Sequence, residues 1–175
     1  HCGAGTDCTH TLQTAINSNP SHILVKAPRL ARLHGIVANL SNAVLEFAPG
    51  AEFVGFLNRS NPINPALSIF YVKASSNFSI VGNGALFRHI AFTVGHFSRD
   101  VSMVGLHVLD PGADGVYVRG VDGLTVKDCI FDRPYRNGMS VIDAMNTHVE
   151  NCTFSNSLPN ATVSVSPMAG VDLEP

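Results

Sequence analysis

Asn77-Phe78-Ser79-Ile80, Asp100-Val101-Ser102-Met103, Gly123-Leu124-Thr125-Val126 and Asn146-Thr147-His148-Val149 repeat one short phrase at a constant step of 23 residues. A second phrase keeps that step, from Asp114-Gly115-Val116-Tyr117-Val118 to Asn137-Gly138-Met139-Ser140-Val141. It returns as Ala169-Gly170-Val171-Asp172-Leu173 after 32 residues, the excess being a nine-residue insertion around Pro159 to Pro167. A fixed period of this size marks a solenoid, in which one repeat is one turn. Each repeat carries several short β-type runs and no helical pattern, so the unit is a coil of a parallel β-helix. Equivalent residues then stack in columns, one rung about 4.8 Å above the next.

Alternation within the repeats separates inside from outside. Val116, Val118, Met139, Val141, Val171 and Leu173 read as one inner wall, and Val101, Met103, Leu124, Val126 and Val149 as another. Phe131 and Phe154 fall on consecutive rungs and fill the core between them. On the outside, Tyr117, Ser140 and Asp172 share a column, and Arg119, Ile142 and Glu174 share the next. Gly and Asn mark the corners. Upstream, Leu12, Ala15 and Ile16 have helical spacing and Asn19-Pro20 stops the run, predicting one short helix that covers the open first rung. Ile23-Leu24-Val25, Gly35-Ile36-Val37 and Ala43-Val44-Leu45-Glu46-Phe47 read as strands, Ala48-Pro49-Gly50-Ala51 as a turn, and Asn58 to Pro65 as a loop leaving the coil.

The chain is therefore a single domain over 1–175: a cap loop and helix (1–20), irregular first coils (21–69) and regular coils (70–175). Its 45% hydrophobic and 14% charged residues suit an elongated buried core. A net charge of −2 gives no reason to expect nucleic acid or an anionic membrane as partner. No apolar run approaches the ~20 residues that cross a bilayer. The last residues, Glu174-Pro175, fall two residues after a strand, in mid-coil, where a solenoid needs a cap. Either further coils are expected beyond them, or another molecule covers that rung, which includes self-association.

Asn39, Asn58, Asn77, Asn151 and Asn160 each open an Asn-x-Ser/Thr acceptor, pointing to a secreted, extracellular glycoprotein. The bland alternative is a set of corner asparagines, Asn151 first among them. Cys2 and Cys8 are close enough to close a small disulfide loop in an oxidising compartment. Cys129 and Cys152, 23 residues apart, stack directly; a disulfide and two packed thiols both fit that spacing. No Cys-x-x-Cys pair suggests zinc.

Gly3-Ala4-Gly5-Thr6-Asp7-Cys8-Thr9 with Leu12-Gln13-x-Ala15-Ile16 resembles the opening of secreted pectin-lyase-like proteins. Leu40-Ser41-Asn42 through Ala51 is similar to their second coil. Phe87-Arg88-His89, Ala113 to Tyr117, Tyr135 to Ile142 and Ala169 to Pro175 resemble the right-handed parallel β-helix proteins of the same superfamily. The resemblance spans nearly the whole chain. It implies a right-handed helix whose final phrase is followed by more coils, and an outer strand face that acts on acidic polysaccharide. The paired aspartates with His and Arg-x-Lys of polygalacturonases are missing here, and no calcium motif of pectate lyases can be matched.

Asp172 and Glu174 sit two residues apart on a strand, so both carboxylates face outward, roughly 6.5–7 Å apart along the chain. That lies near the lower bound of the ~6.5–9.5 Å window for inverting glycoside hydrolysis. Two nearby carboxylates also push each other's pKa values apart. Solvated strand residues on an outer rung are the plain alternative. Arg136, one rung from Asp114, either holds a uronate carboxylate bidentately or pairs with Asp114 or Asp132 to fix a corner. Tyr117 offers a platform for a sugar ring, Ser140 lies beside it, and His89 is a candidate general acid at the edge of the same face. His148 belongs to another face, next to Thr125. No cofactor is expected; a calcium ion held by Asp114, Asp172 and Glu174 is the one metal reading, without a loop motif behind it.

Two functions follow. The first is an extracellular polysaccharide-active β-helix, lyase or glycoside hydrolase, with Asp114, Arg136, Asp172 and Glu174 at its site. The second is a non-catalytic structural or glycan-binding β-helix of an extracellular fibre, wall or virion surface.

Overall fold

The computed structural model describes residues 6–27, 30–56, 69–157 and 169–174. Helix α1 (Thr9–Asn17) forms where the apolar positions predicted it, with Leu12 and Ile16 buried. Asp7 Oδ1 accepts the Thr9 N–H at 2.9 Å, satisfying one of the donors left over at the helix start. Asn19, at φ 51°, turns the chain away before Pro20.

The strands are short and follow one another around the coil. The early ones are β1 (His22–Val25), β2 (Ala31–Arg32), β3 (Ile36–Ala38), β4 (Ser41–Phe47) and β5 (Glu52–Val54). The middle ones are β6 (Ile69–Lys73), β7 (Ser76–Val81), β8 (Leu86–Arg88), β9 (Ala91–Val104) and β10 (His107–Leu109). The last are β11 (Val116–Lys127), β12 (Ile130–Asp132), β13 (Met139–Glu150), β14 (Thr153–Ser155) and β15 (Val171–Glu174). Every pairing is parallel, which makes the chain a parallel β-solenoid. Strands β2, β5, β8, β10, β12 and β14 stack into a six-stranded sheet. The others form a nine-stranded sheet in which β9, β11 and β13 bend and so belong to two faces. On one face they stack with β3, β6 and β15; on the other with β1, β4 and β7. The strands Ala31–Arg32 and Glu52–Val54, two and three residues long, carry too little alternation to be read from sequence.

Corners are made by residues in the left-handed region. Asn42, Asn77, Asp100, Gly123 and Asn146 occupy one such column, with φ between 47° and 81°. Gly105, Asp128 and Asn151 form a second, and His89, Asp110, Arg133 and Asn156 a third. Asn, Asp and Gly tolerate this conformation best, which is why they punctuate the repeat. Their side chains also bond along the column: Asn77 Nδ2 donates to Asn42 Oδ1 at 3.0 Å, and Asn151 Nδ2 to Asp128 Oδ1 at 2.6 Å.

Inside, stacked rings fill the volume. Phe53 lies on Phe87 with centroids 5.3 Å apart, Phe70 on Phe92 at 5.4 Å, and Phe131 on Phe154 at 5.3 Å with planes within 5°. Offset stacks of this kind contribute about 0.5–1.5 kcal/mol each beyond their burial. The two inner walls fall in the expected register, with Val116, Val118, Met139, Leu124, Val126, Val101 and Met103 buried. Val171 and Leu173 continue those columns on the edge strand β15, yet are exposed. Val149 is exposed as well. Among the described residues, no helix is long and apolar enough to cross a membrane.

The expected disulfide is not formed from Cys8, whose thiol is free and buried; Cys2 lies outside the described residues. Cys129 and Cys152 are free too, each donating to a main-chain carbonyl, Cys129 to Lys127 O and Cys152 to Glu150 O, both at 3.2 Å. Of the five glycan acceptors, Asn39, Asn77 and Asn151 are exposed, but Asn77 and Asn151 already use their amide nitrogens in the corner ladders. Asn58 and Asn160 lie outside the described residues, as do the Asn58–Pro65 loop and the 158–168 insertion.

Candidate functional site

Asp114 and Asn137 hold equivalent places in the turns that lead into β11 and β13, each followed by a glycine. The glycines are there because the chain passes very close to its neighbours. A Cβ on Gly115 would lie 2.5 Å from Gly138 O and 2.7 Å from Phe131 Cδ1. One on Gly138 would lie 2.5 Å from Gly170 O and 2.7 Å from Phe154 Cδ1. The turns therefore sit down on the Phe131–Phe154 stack and carry their polar residues inward: Asp114 is 3% exposed and Asn137 fully buried.

Buried polar groups need partners, and these have them. Asp114 takes two bonds from Arg136, Nε–H to Oδ1 at 2.7 Å and Nη2–H to Oδ2 at 2.5 Å. Asp114 Oδ1 also accepts the main-chain N–H of Asn137 at 3.0 Å. Of the two roles open to Arg136, the corner pairing is the one realised, and with Asp114 rather than Asp132. Asp132 instead accepts from Ser155 and Asn156, each at 2.8 Å. The hydrogen bonds from Arg136 to Asp114 hold the guanidinium's pKa above its usual value against the cost of burial, helped by the fields of Asp114, Glu174 and Tyr117. Arg136 remains 35% exposed and uses two of its five donors on Asp114.

Asn137 links the next rungs. Its Nδ2 donates to Ser140 Oγ at 3.0 Å and to Asp172 Oδ2 at 3.1 Å, and its Oδ1 accepts the Ala169 main-chain N–H at 2.9 Å. Sequence reading passed over this residue. The signal was present: Asp114 and Asn137 are polar residues at the same point of successive coils, ahead of glycines that force them inside.

The outer columns are as expected. Tyr117 pairs with Ser140 and Ser140 with Asp172; Arg119 pairs with Ile142 and Ile142 with Glu174. Their environments differ from expectation. Ser140 is fully buried beneath Asn137 rather than open to a ligand. Asp114 is enclosed by Arg136 and presents no free carboxylate. Asp172 is half-buried and oriented by Asn137, whereas Glu174 is exposed, within reach of the field of Arg136. Glu174 also borders an open hollow of about 570 Å³ together with Val141, Asp143, Ala144, Met145 and Leu173. Tyr117 is half-buried on the same face.

His89 lies in the turn between β8 and β9, in the corner column of Asp110, Arg133 and Asn156 rather than in an outward strand column, with Nδ1 3.1 Å from the carbonyl oxygen of Asp110. His148 stands beside Thr125 on another face, as its spacing required. Among the described residues no three His, Cys, Asp or Glu side chains converge as metal ligands. Both oxygens of Asp114 are bonded to Arg136.

No protein-family model matches the chain, and no curated protein does. Among solved structures it is similar to a candidate glycosyl hydrolase from Parabacteroides merdae, with a TM-score of 0.57 over 92% of each chain and 12% sequence identity. At that identity the likeness is one of fold.

Proposed function

We propose that the chain is a glycoside-hydrolase-like β-solenoid that acts on polysaccharide at the outer face of β11, β13 and β15, in an extracellular setting. The observation that carries the reading is the alignment of Tyr117, Asp172 and Glu174 beside the cationic edge of Arg136. In this arrangement Asp172 and Glu174 supply the acid and the base that glycoside hydrolysis needs. Tyr117 offers a ring to stack against sugar, and the donors of Arg136 not used on Asp114 receive its polar or anionic groups. Asp114 and Asn137 are positioning residues: one holds Arg136, the other orients Asp172. The candidate glycosyl hydrolase of the same fold supports this class of reaction over the others a β-solenoid can host.

A second reading has its own observation. Asp114, Arg136, Asn137 and Asp172 bond one another, which is also what a structural or glycan-binding solenoid needs to lock its coils together. Incubation with a panel of uronans and neutral polysaccharides separates the two. New reducing ends without unsaturated products, lost in Asp172→Asn and Glu174→Gln, support a hydrolase. Unsaturated uronyl products indicate a lyase instead. No cleavage of any polymer by a folded chain leaves the structural reading.

A further inference from the structure

At its first bend β9 carries one more residue than the strand above it. Gly95 pairs with Arg119 and Ser98 with Val121, so His96 and Phe97 together oppose the single residue Gly120. This is a β-bulge, and both inserted residues are left-handed, at φ 50° and 65°. Phe97 is 89% exposed. A strained backbone that turns a large apolar ring into water does nothing for the core, and such outliers cluster at ligand sites.

The surroundings have matching chemistry. The Tyr71 ring lies over Gly95: a Cβ there would be 3.9 Å from both Cε2 and the hydroxyl oxygen. The same ring meets His96 edge-on at 5.6 Å. Burial pushes the pKa of the Tyr71 hydroxyl up, so it stays a neutral hydrogen-bonding group. Lys73 and Arg119 flank Gly95 in one outward column, both exposed. Arg88, Lys127, Arg133 and Arg136 all pair with carboxylates, but Lys73 and Arg119 have no carboxylate partner among the described residues. That column runs from Lys73 and Arg119 at one end to Glu174 at the other. Its cationic part sits beside the aromatic bulge, and Arg119 stands two rungs from Glu174, as many as from Lys73.

We propose that the His96–Phe97 bulge, with Tyr71, Lys73 and Arg119, is a second carbohydrate-binding subsite, one that takes an acidic oligosaccharide. The exposed rings stack on sugar faces, and Lys73 and Arg119 bind carboxylate or sulfate groups. The two cations are two rungs apart, about 9.6 Å. A ligand that engages both carries at least two anionic groups spread along the solenoid axis. The ligand is thus an oligomer, and a single acidic sugar fills only part of the subsite. The subsite shares with the proposed function the premise of a carbohydrate ligand, and nothing of the chemistry of Asp172 and Glu174.

The test is calorimetric titration of the Asp172→Asn, Glu174→Gln chain, which holds ligand without turnover. The probes are trigalacturonate, a chondroitin sulfate tetrasaccharide and neutral cellotriose. Both acidic probes are expected to bind more tightly than cellotriose and to weaken as NaCl is raised. Lys73→Gln and Arg119→Gln are each expected to raise Kd about three- to five-fold, and Phe97→Ser to weaken all three probes, with unchanged thermal melts. Unchanged affinities in the Lys73→Gln, Arg119→Gln double variant and in Phe97→Ser overturn the subsite, as does failure of both acidic probes to bind. Bulge-dependent binding with no polymer cleavage by the unsubstituted chain removes the hydrolase reading alone. Cleavage with bulge-independent binding removes the subsite alone.

Discussion

Replacing Asp114 with Asn removes one charge and one acceptor from the lock between two turns. In the native chain the carboxylate accepts three hydrogen bonds, two from Arg136 and one from the Asn137 main chain. An amide has one oxygen, and if it stays on the Asn137 N–H its NH2 group faces the guanidinium donor to donor. Breaking a fully buried ion pair costs about 3–5 kcal/mol. Here Arg136 is one-third exposed, so water solvates part of the released charge, and the expected loss is about 2–3 kcal/mol. For a chain of 175 residues each kcal/mol is about 2–4 °C in Tm, so the melt drops by about 5–10 °C. Circular dichroism melts at pH 7 measure it, repeated at 1 M NaCl, where a sheltered pair loses little of its strength. A shift below about 2 °C, or one abolished by salt, means that Asp114 and Arg136 behave as an ordinary surface pair, and the positioning argument for Arg136 fails.

Three further outcomes are expected. Gly138→Ala drives a methyl into Gly170 O and the Phe154 ring and destabilises by about 2–4 kcal/mol, whereas Gly50→Ala, with open space but φ 75°, costs about 1 kcal/mol; equal losses in denaturant melts contradict the close approach. Hydrogen bonds from Asn156 and Ser155, then the charge of Arg133, lower the pKa of Asp132, and bonds to Thr9 with the charges of His34 and Arg32 lower that of Asp7. A carboxylate whose pKa falls on folding stabilises the chain above its unfolded value of about 3.9 and loses that contribution as pH drops through the folded value. Tm therefore declines on acidification from about pH 4.5, and Asp132→Asn makes the decline shallower; a Tm flat to pH 3 contradicts this. Burial pushes the Cys129 thiol up to about 12, so iodoacetamide at pH 8 leaves it unmodified in the native chain and alkylates it after unfolding, as mass spectrometry of the peptide reads directly.

Much of the architecture was legible because the repeat length and the coil length are the same quantity. Once Gly115 and Gly138 are aligned, Tyr117 must stack with Ser140, and Phe131 with Phe154, whatever the details of the turns. The corner columns were visible through Asn and Gly, which suit the left-handed backbone. The bulge at His96–Phe97 was not, since an extra residue simply breaks the period. Nor was the position of His89, a left-handed corner residue between β8 and β9 rather than a member of an outward strand column.

The candidate site divides along the same line. Which residues share an outward column, Tyr117 with Ser140 and Asp172 or Arg119 with Ile142 and Glu174, was determined by the sequence alone, since alternation and period together set register. Which of them reach solvent was decided by the turns between strands. Gly115 and Gly138 let those turns press onto the Phe131–Phe154 stack, and that carries Asp114 and Asn137 inside. Once there they must be satisfied, so Asp114 takes Arg136, and Asn137 covers Ser140 and aims Asp172. Period constrains only what repeats, whereas burial and pairing depend on the close approach of chain segments that the repeat does not describe.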